Sequence, residues 1–139
     1  KILAEKEALD IILIDGSPGI GCPVIASITG VDAALVVTEP TLSGIHDLKR
    51  VLKLLEHFNV VPFVCINMYD VNVSNTNKIL GFCKENRADV VGVIPFSSEV
   101  TQAMVNGKTI VEYSPESAVA QEIASMWKKI SCKMVGWYT

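Results

Sequence analysis

Four short apolar runs, residues 11–14, 34–37, 60–66 and 90–94, are rich in Val and Ile and show no polar alternation. A strand with one wet face alternates. A continuous apolar run is the pattern of a strand buried on both faces, which requires a parallel sheet covered by helices. The stretches between the runs carry helical spacing. Ile45, Leu48, Val51, Leu52, Leu55 and Phe58 fall on one face of a helix for which Ser43 is the expected N-cap. Pro23 is placed to open a short helix ending near Gly30. Further helices are expected over 75–86 and over 98–105, the second stopping at Gly107. The last is expected to begin at "SPES", with Ser114 as cap and Pro115 at the first helical position. Its buried stripe is Val119, Ile123, Met126, Trp127 and Ile130. The opening "KILAEKEALD" reads as the end of a helix cut from a longer protein. Strands alternating with helices predict the α/β class, a mostly parallel sheet of βαβ units with flanking helices.

Composition narrows the function classes. A chain of 139 residues has the length of one domain, and with 50% hydrophobic and 19% charged residues it has ample material for a core. A net charge of −3 without any Lys/Arg cluster suggests no nucleic-acid face. No apolar run reaches the ~18 residues of a membrane span, and no basic-then-apolar leader precedes the first run. Cys22, Cys65, Cys83 and Cys132 are far apart, and none forms a Cys-x-x-Cys pair. A zinc ribbon or a complete iron–sulfur motif is therefore absent. Cys65, inside an apolar run, is expected as a small core residue, and a reducing, cytoplasmic compartment fits this cysteine usage better than secretion.

Ligands of open parallel sheets sit beyond the carboxyl ends of the strands, so the residues just after each run carry the chemistry. "LIDGSPGIG" delivers Asp15 to such an end. In one reading Asp15 holds Mg2+, directly or through water, and Gly16 to Gly21 form a loop that approaches a γ-phosphate and changes shape when it leaves. In the other, Asp15 caps a turn and the glycines serve geometry only. Spacing alone leaves both open. Asn67 ends the third run and offers one acceptor and two donors, the inventory needed to read an adenine edge; its alternative is an Asx-turn. Pro95 ends the fourth run, where its alternative is a plain strand terminator. Three strand ends aimed at one ligand weigh more than any one of them.

Such an acid normally serves a phosphate loop, G-x-x-x-x-G-K-[ST]. The sequence offers one Gly-Lys-Thr, at Gly107, Lys108 and Thr109, but position 102 is Gln102 where glycine is required. "TQAMVNGKT" also reads as a helix ending, whereas a phosphate loop joins a strand to the following helix. Gly107 is more simply a helix C-cap.

The stretch "DIILIDGSPGIGCPVIASITGVDAALVVTEPTLSGIHDLKRVLKLLEHF" resembles the second half of MinD/ParA-type deviant P-loop ATPases, and within them the MinD-like subgroup that carries an inserted ferredoxin domain. The resemblance continues through "VCINMYDVN" and "GVIPFSSEVTQAMVNGKTIVEY" and covers nearly the whole chain. It implies that Asp15 is the Walker B acid, catalytic and Mg2+-associated, and that Ser17, Pro18 and Gly19 are the adjoining switch. It further implies that Asn67 contacts the adenine base and that Pro95 and Phe96 close over it. Proteins of this type bind ATP with Mg2+, often dimerise around nucleotide and use hydrolysis as a conformational switch. The ferredoxin insertion implies a redox or iron–sulfur role.

In this family the phosphate loop, its signature lysine, the first switch and the ferredoxin cysteines all precede the position of Lys1. The resemblance therefore implies that residues 1–139 are the carboxyl-terminal part of a single P-loop ATPase domain of SIMIBI type, lacking the phosphate-loop strand, with any iron–sulfur cluster in the absent part. Weak adenine binding without ATP hydrolysis is expected of this chain alone, because nothing cradles the phosphates or offsets their charge. The family's phosphate-loop strand lies mid-sheet beside the Walker B strand, so its absence leaves strand edges unpaired. A homo-oligomer or a partner chain is the expected remedy. Cys22 stands seven residues after Asp15 (22 − 15 = 7), an offset similar to that of a cluster-ligating cysteine in the related nitrogenase iron protein. Two copies of Cys22 bridging a cluster is one reading. A small helix-cap residue is the favoured one, since a cluster takes four Cys ligands and no second Cys is near.

Two other functional classes compete with the ATPase piece. One is a stand-alone α/β module that docks on a partner carrying the phosphate loop; the other is an unrelated flavodoxin-like domain, against which Asn67 and Pro95 argue. His46 and His57 receive no role, and Trp127 and Trp137 are read as packing residues.

Overall fold

The computed structural model describes residues 10–135. The helix end expected in the opening residues and Trp137 lie outside them. The described chain runs α1 (Cys22–Ile28), β1 (Ala33–Thr38), α2 (Leu42–His57), β2 (Val61–Asn67), α3 (Val73–Glu85), β3 (Asp89–Ile94), α4 (Ser98–Val105), α5 (Ile110–Tyr113) and α6 (Ala118–Val135). The three strands form a parallel sheet in the order β1-β2-β3. Leu35 pairs with Phe63 and Val37 with Cys65; between β2 and β3 the register slips by one residue after Val64, so Val91 is the extra residue.

β2 is the central strand, and its run Phe63–Ile66 is buried throughout, the double-faced burial that its sequence requires. On one face Leu48, Leu52 and Leu55 of α2, Ile79 and Cys83 of α3, and Val24 and Ile28 of α1 pack with Val64 and Ile66. On the other, Met126 and Ile130 of α6 pack with Phe63, Cys65 and Val91. Burial pushes the Cys65 thiol up to about 11, with the nearby Glu122 carboxylate adding to it, and burial does the same for Cys83. Both thiols stay protonated and inert at neutral pH, as the core reading of Cys65 requires. Cys22 and Cys132 are exposed.

The two edges of the sheet are treated differently. α6 closes the outer edge of β3: Glu122 Oε1 accepts from the Val93 N–H (3.2 Å), Lys129 Nζ donates to the Val91 carbonyl (3.0 Å), and Lys133 pairs with Asp89. The outer edge of β1 has no strand beside it among the described residues. Leu35 and Val37, on the face that α6 covers farther along the sheet, are exposed, Val37 by 60%.

Four sequence expectations need correction. Residues 11–14 do not form a strand; they are exposed, Leu13 by 78%. Strand character comes from a hydrogen-bonded neighbour, and the described residues offer this run none. α2 is capped by Thr41, whose Oγ1 accepts from the Gly44 N–H (2.9 Å), while Ser43 bonds to Thr41 (3.1 Å). α6 starts at Ala118, with Ser117 Oγ accepting from the Ala120 N–H (3.2 Å). Ser114 is unavailable as its cap because it already ends α5, a one-turn helix set by a capping box between Thr109 and Glu112. The backbone N–H and then the hydroxyl of Thr109 hold the Glu112 carboxyl below its ordinary range. Trp127 is exposed on the flank of the α6 stripe. Among the described residues no helix is long and apolar enough to cross a membrane.

Candidate functional site

The carboxyl ends of β2 and β3 open into a cavity of about 260 Å3 lined by Asn67, Met68, Ile94, Pro95, Phe96, Ser97, Val100, Thr101, Ile110, Val119 and Ile123. Asn67, at the end of the third run, and Pro95 and Phe96, at the end of the fourth, therefore stand together. β2 delivers Asn67 as its last residue. Met68 then takes a left-handed backbone (φ 51°), turning the chain at once toward β3. There the Tyr69 N–H donates to the Ile94 carbonyl (3.1 Å) and the Phe96 N–H to Asp70 Oδ1 (2.8 Å). Pro95 has no N–H to continue the ladder, so β3 stops and the chain crosses the cavity mouth before Ser97 caps α4 through the Glu99 N–H (3.2 Å).

The walls are chiefly aliphatic, and the polar groups are the Asn67 amide with the Ser97 and Thr101 hydroxyls. The Asn67 side chain engages no hydrogen-bond partner among the described residues, so it is not spent on an Asx-turn. Phe96 is 59% exposed at the rim. Such a space suits a flat heterocycle with polar edges, being smaller than the ~300–1,000 Å3 of pockets for larger ligands.

The other expected site residues lie elsewhere. Asp15, Ser17, Pro18 and Gly19 are exposed, outside any regular element, and do not line this cavity. Gly16 sits against Ser27 of α1. Among the described residues no group of three or more His, Cys, Asp or Glu could hold a metal ion, so Asp15 does not stand within a complete ligand set. The Gly107-Lys108-Thr109 stretch is a helix ending: Gly107 is left-handed (φ 64°), and Gly107 and Lys108 donate to the Met104 and Ala103 carbonyls (3.0 Å each). Asp70 stands among the residues just after the third run, where the sequence places the chemistry, but its partner is twenty-six residues away, and no local spacing signals that pairing.

Comparison with known proteins bears on the whole chain. The family described as "ParA: NUBPL iron-transfer P-loop NTPase" matches residues 4–131. An uncharacterized protein of Methanocaldococcus jannaschii is 31% identical over 127 residues, which cover 91% of this chain and 42% of that protein. Among solved structures, the MinD cell division protein of Aquifex aeolicus superposes with a TM-score of 0.77 at 22% identity, covering 94% of this chain and 57% of that one. The septum site-determining protein MinD of Pyrococcus horikoshii, solved with Mg-ADP, superposes with a TM-score of 0.75 at 22% identity over 99% of this chain and 56% of that one. The parallel sheet with its flanking helices is thus the α/β fold of P-loop NTPases, and the chain spans less than half the length of the Methanocaldococcus relative. With the family match extending over nearly all of its residues, this chain belongs to the ParA family of P-loop NTPases.

Proposed function

We propose that this chain supplies the base-binding side of an ATP site in a MinD-like ATPase, with the cavity at the tips of β2 and β3 receiving adenine. The observation that carries this is the unspent Asn67 amide in the lining of a chiefly aliphatic cavity shared with Pro95 and Phe96. One carbonyl and one NH2 match the donor and acceptor pattern of an adenine edge, while the aliphatic walls and the Phe96 rim cover its faces. The Mg-ADP bound by the Pyrococcus MinD supports a nucleotide as ligand. Asp15 contributes a single carboxylate toward Mg2+. Such an ion takes only one or two carboxylates and otherwise phosphate and water oxygens, so the single carboxylate suits the role. Ser17, Pro18 and Gly19 form the adjoining switch loop. The phosphates are held by polypeptide other than residues 1–139, and this chain alone does not hydrolyse ATP. The iron-transfer description of the family supports an iron–sulfur role for the complete protein.

The test is an NMR titration of the 139-residue chain with AMP. Base contacts alone correspond to millimolar affinity, on the order of −4 kcal/mol. Shifts are expected at Asn67, Phe96 and Thr101, and Asn67→Ala weakens binding by about 10-fold. Absence of shifts up to about 10 mM AMP, or shifts that map away from the cavity, rejects the reading.

A second reading, that the chain docks on another chain or on its own copy, rests on the edge of β1, which has no strand beside it among the described residues, and on the exposed Leu35, Val37 and run 11–14. Edges of this kind pair readily. Size-exclusion chromatography with light scattering is expected to give a mass above that of one chain; a clean monomer counts against self-association.

A further inference from the structure

The geometry points to Asp70 as the positioning residue of the cavity, the group that sets the height of the Pro95–Ser97 segment over whatever occupies it. The inference rests on the reading of the cavity as a base site, and deepens it. Two bonds tie the tips of β2 and β3. The Tyr69 N–H to the Ile94 carbonyl is a backbone link that sequence changes leave intact, whereas the Phe96 N–H to Asp70 Oδ1 depends on one side chain. Phe96 is the first residue after β3 with an N–H to give, since Pro95 has none. A carboxylate acceptor makes the stronger kind of hydrogen bond, and at 2.8 Å it is well formed.

Asp70 is itself held in place from behind. Left-handed Met68 and the Val71 N–H to Met68 carbonyl bond (3.1 Å) close the turn that carries it. Thr76 Oγ1 donates to the Tyr69 carbonyl (2.7 Å), pinning that turn to α3. The carboxylate thus has a fixed base, and the Phe96 segment has little else: its ring is more exposed than buried, and the next anchor is the Ser97 cap. Removing the acceptor frees the lip while leaving the Asn67 amide where β2 puts it. Asp70 touches no ligand in this arrangement; it acts through Phe96.

The experiment reads the brace and the ligand separately, in the 139-residue chain. Amide hydrogen exchange at Phe96, measured without ligand, is expected to speed up in Asp70→Ala and to return toward the parent rate in Asp70→Asn, which keeps an acceptor oxygen. AMP titration of the same proteins is expected to show about 5–10-fold weaker binding for Asp70→Ala and recovery to within about 3-fold for Asp70→Asn. Unchanged Phe96 exchange in Asp70→Ala overturns the inference while leaving the base site standing. Faster exchange with unchanged AMP affinity also overturns it, because the lip then does not bear on binding. If the parent chain shows the Asp70-dependent exchange but binds no AMP, the base-site reading fails and takes the positioning role with it.

Discussion

Phe63→Ala is expected to destabilise the fold by about 3–5 kcal/mol, the range for truncating a buried aromatic. Phe63 lies on the central strand, pairs with Leu35 of β1 and Asp89 of β3, and is 1% exposed. Its ring fills the space between the sheet and α6, against Cys65, Val91, Met126 and Ile130. That layer is thin: among the described residues one helix supplies it, and it covers β2 and β3 but leaves Leu35 and Val37 exposed. The cavity left by the ring therefore cannot be filled from a second layer, and α6 remains attached at the β3 edge through Glu122, Lys129 and Lys133. Collapse of the helix onto the void is resisted, which places the cost toward the upper end. A domain is stable by only ~5–15 kcal/mol, so the midpoint of thermal unfolding is expected to fall by roughly 10–20 °C. Phe63→Leu keeps most of the volume and is expected to cost about 1–1.5 kcal/mol. Urea unfolding with an unchanged m-value checks both. A loss under about 1 kcal/mol for Phe63→Ala would mean that α6 does not pack on β2 as described.

How far the sequence could be read depended on whether the decisive interaction was local. The runs at β1, β2 and β3 announced a parallel sheet because Val64 and Ile66 face one helical layer while Phe63 and Cys65 face the other. The equally apolar run 11–14 carried the same signal and forms no strand, since pairing needs a neighbour that composition does not reveal. Helix starts divided in the same way. Pro23 opened α1 by its own ring geometry, but between Thr41 and Ser43 only the backbone angles decide which residue becomes the N-cap. Ser114 was misread for want of one local signal that was legible, the Thr-x-x-Glu box at Thr109 and Glu112. At the cavity, Asn67, Pro95 and Phe96 were legible because strand ends collect ligand groups. Met68's left-handed turn and the reach of Asp70 to Phe96 depend on the relative height of two strand tips, which no window of sequence contains.

Gly44→Ala tests a close approach at the tip of β1. In an ordinary helix this change stabilises by up to ~1 kcal/mol, because alanine is the better helix former and restricts the unfolded chain. The opposite sign is expected at this position. A Cβ on Gly44 would clash with the Glu39 carbonyl oxygen and stand 3.1 Å from both Thr38 Oγ1 and Thr41 Oγ1. The backbone of Gly44 is not in the left-handed region, so the effect is one of space alone. Relief requires the Glu39–Pro40 turn or the first turn of α2 to move, and both are tied down. The Thr41 N–H donates to the Glu39 carbonyl (2.8 Å), Thr38 Oγ1 to the Gly44 carbonyl (3.2 Å), and the buried Asn75 amide to the Pro40 carbonyl (3.1 Å). Overpacking costs about 1–3 kcal/mol, and a shift that also breaks the Thr41 cap adds about 1 kcal/mol. Set against the propensity gain of up to ~1 kcal/mol, the net is a loss of about 1–3 kcal/mol. Ser43→Ala, one residue earlier and exposed, is the control and is expected to stay within about 0.5 kcal/mol of the parent. Urea unfolding of the two variants side by side decides it: if Gly44→Ala matches or exceeds the parent in stability, the carbonyl of Glu39 does not lie against α2, and the tip of β1 is built differently from those of β2 and β3.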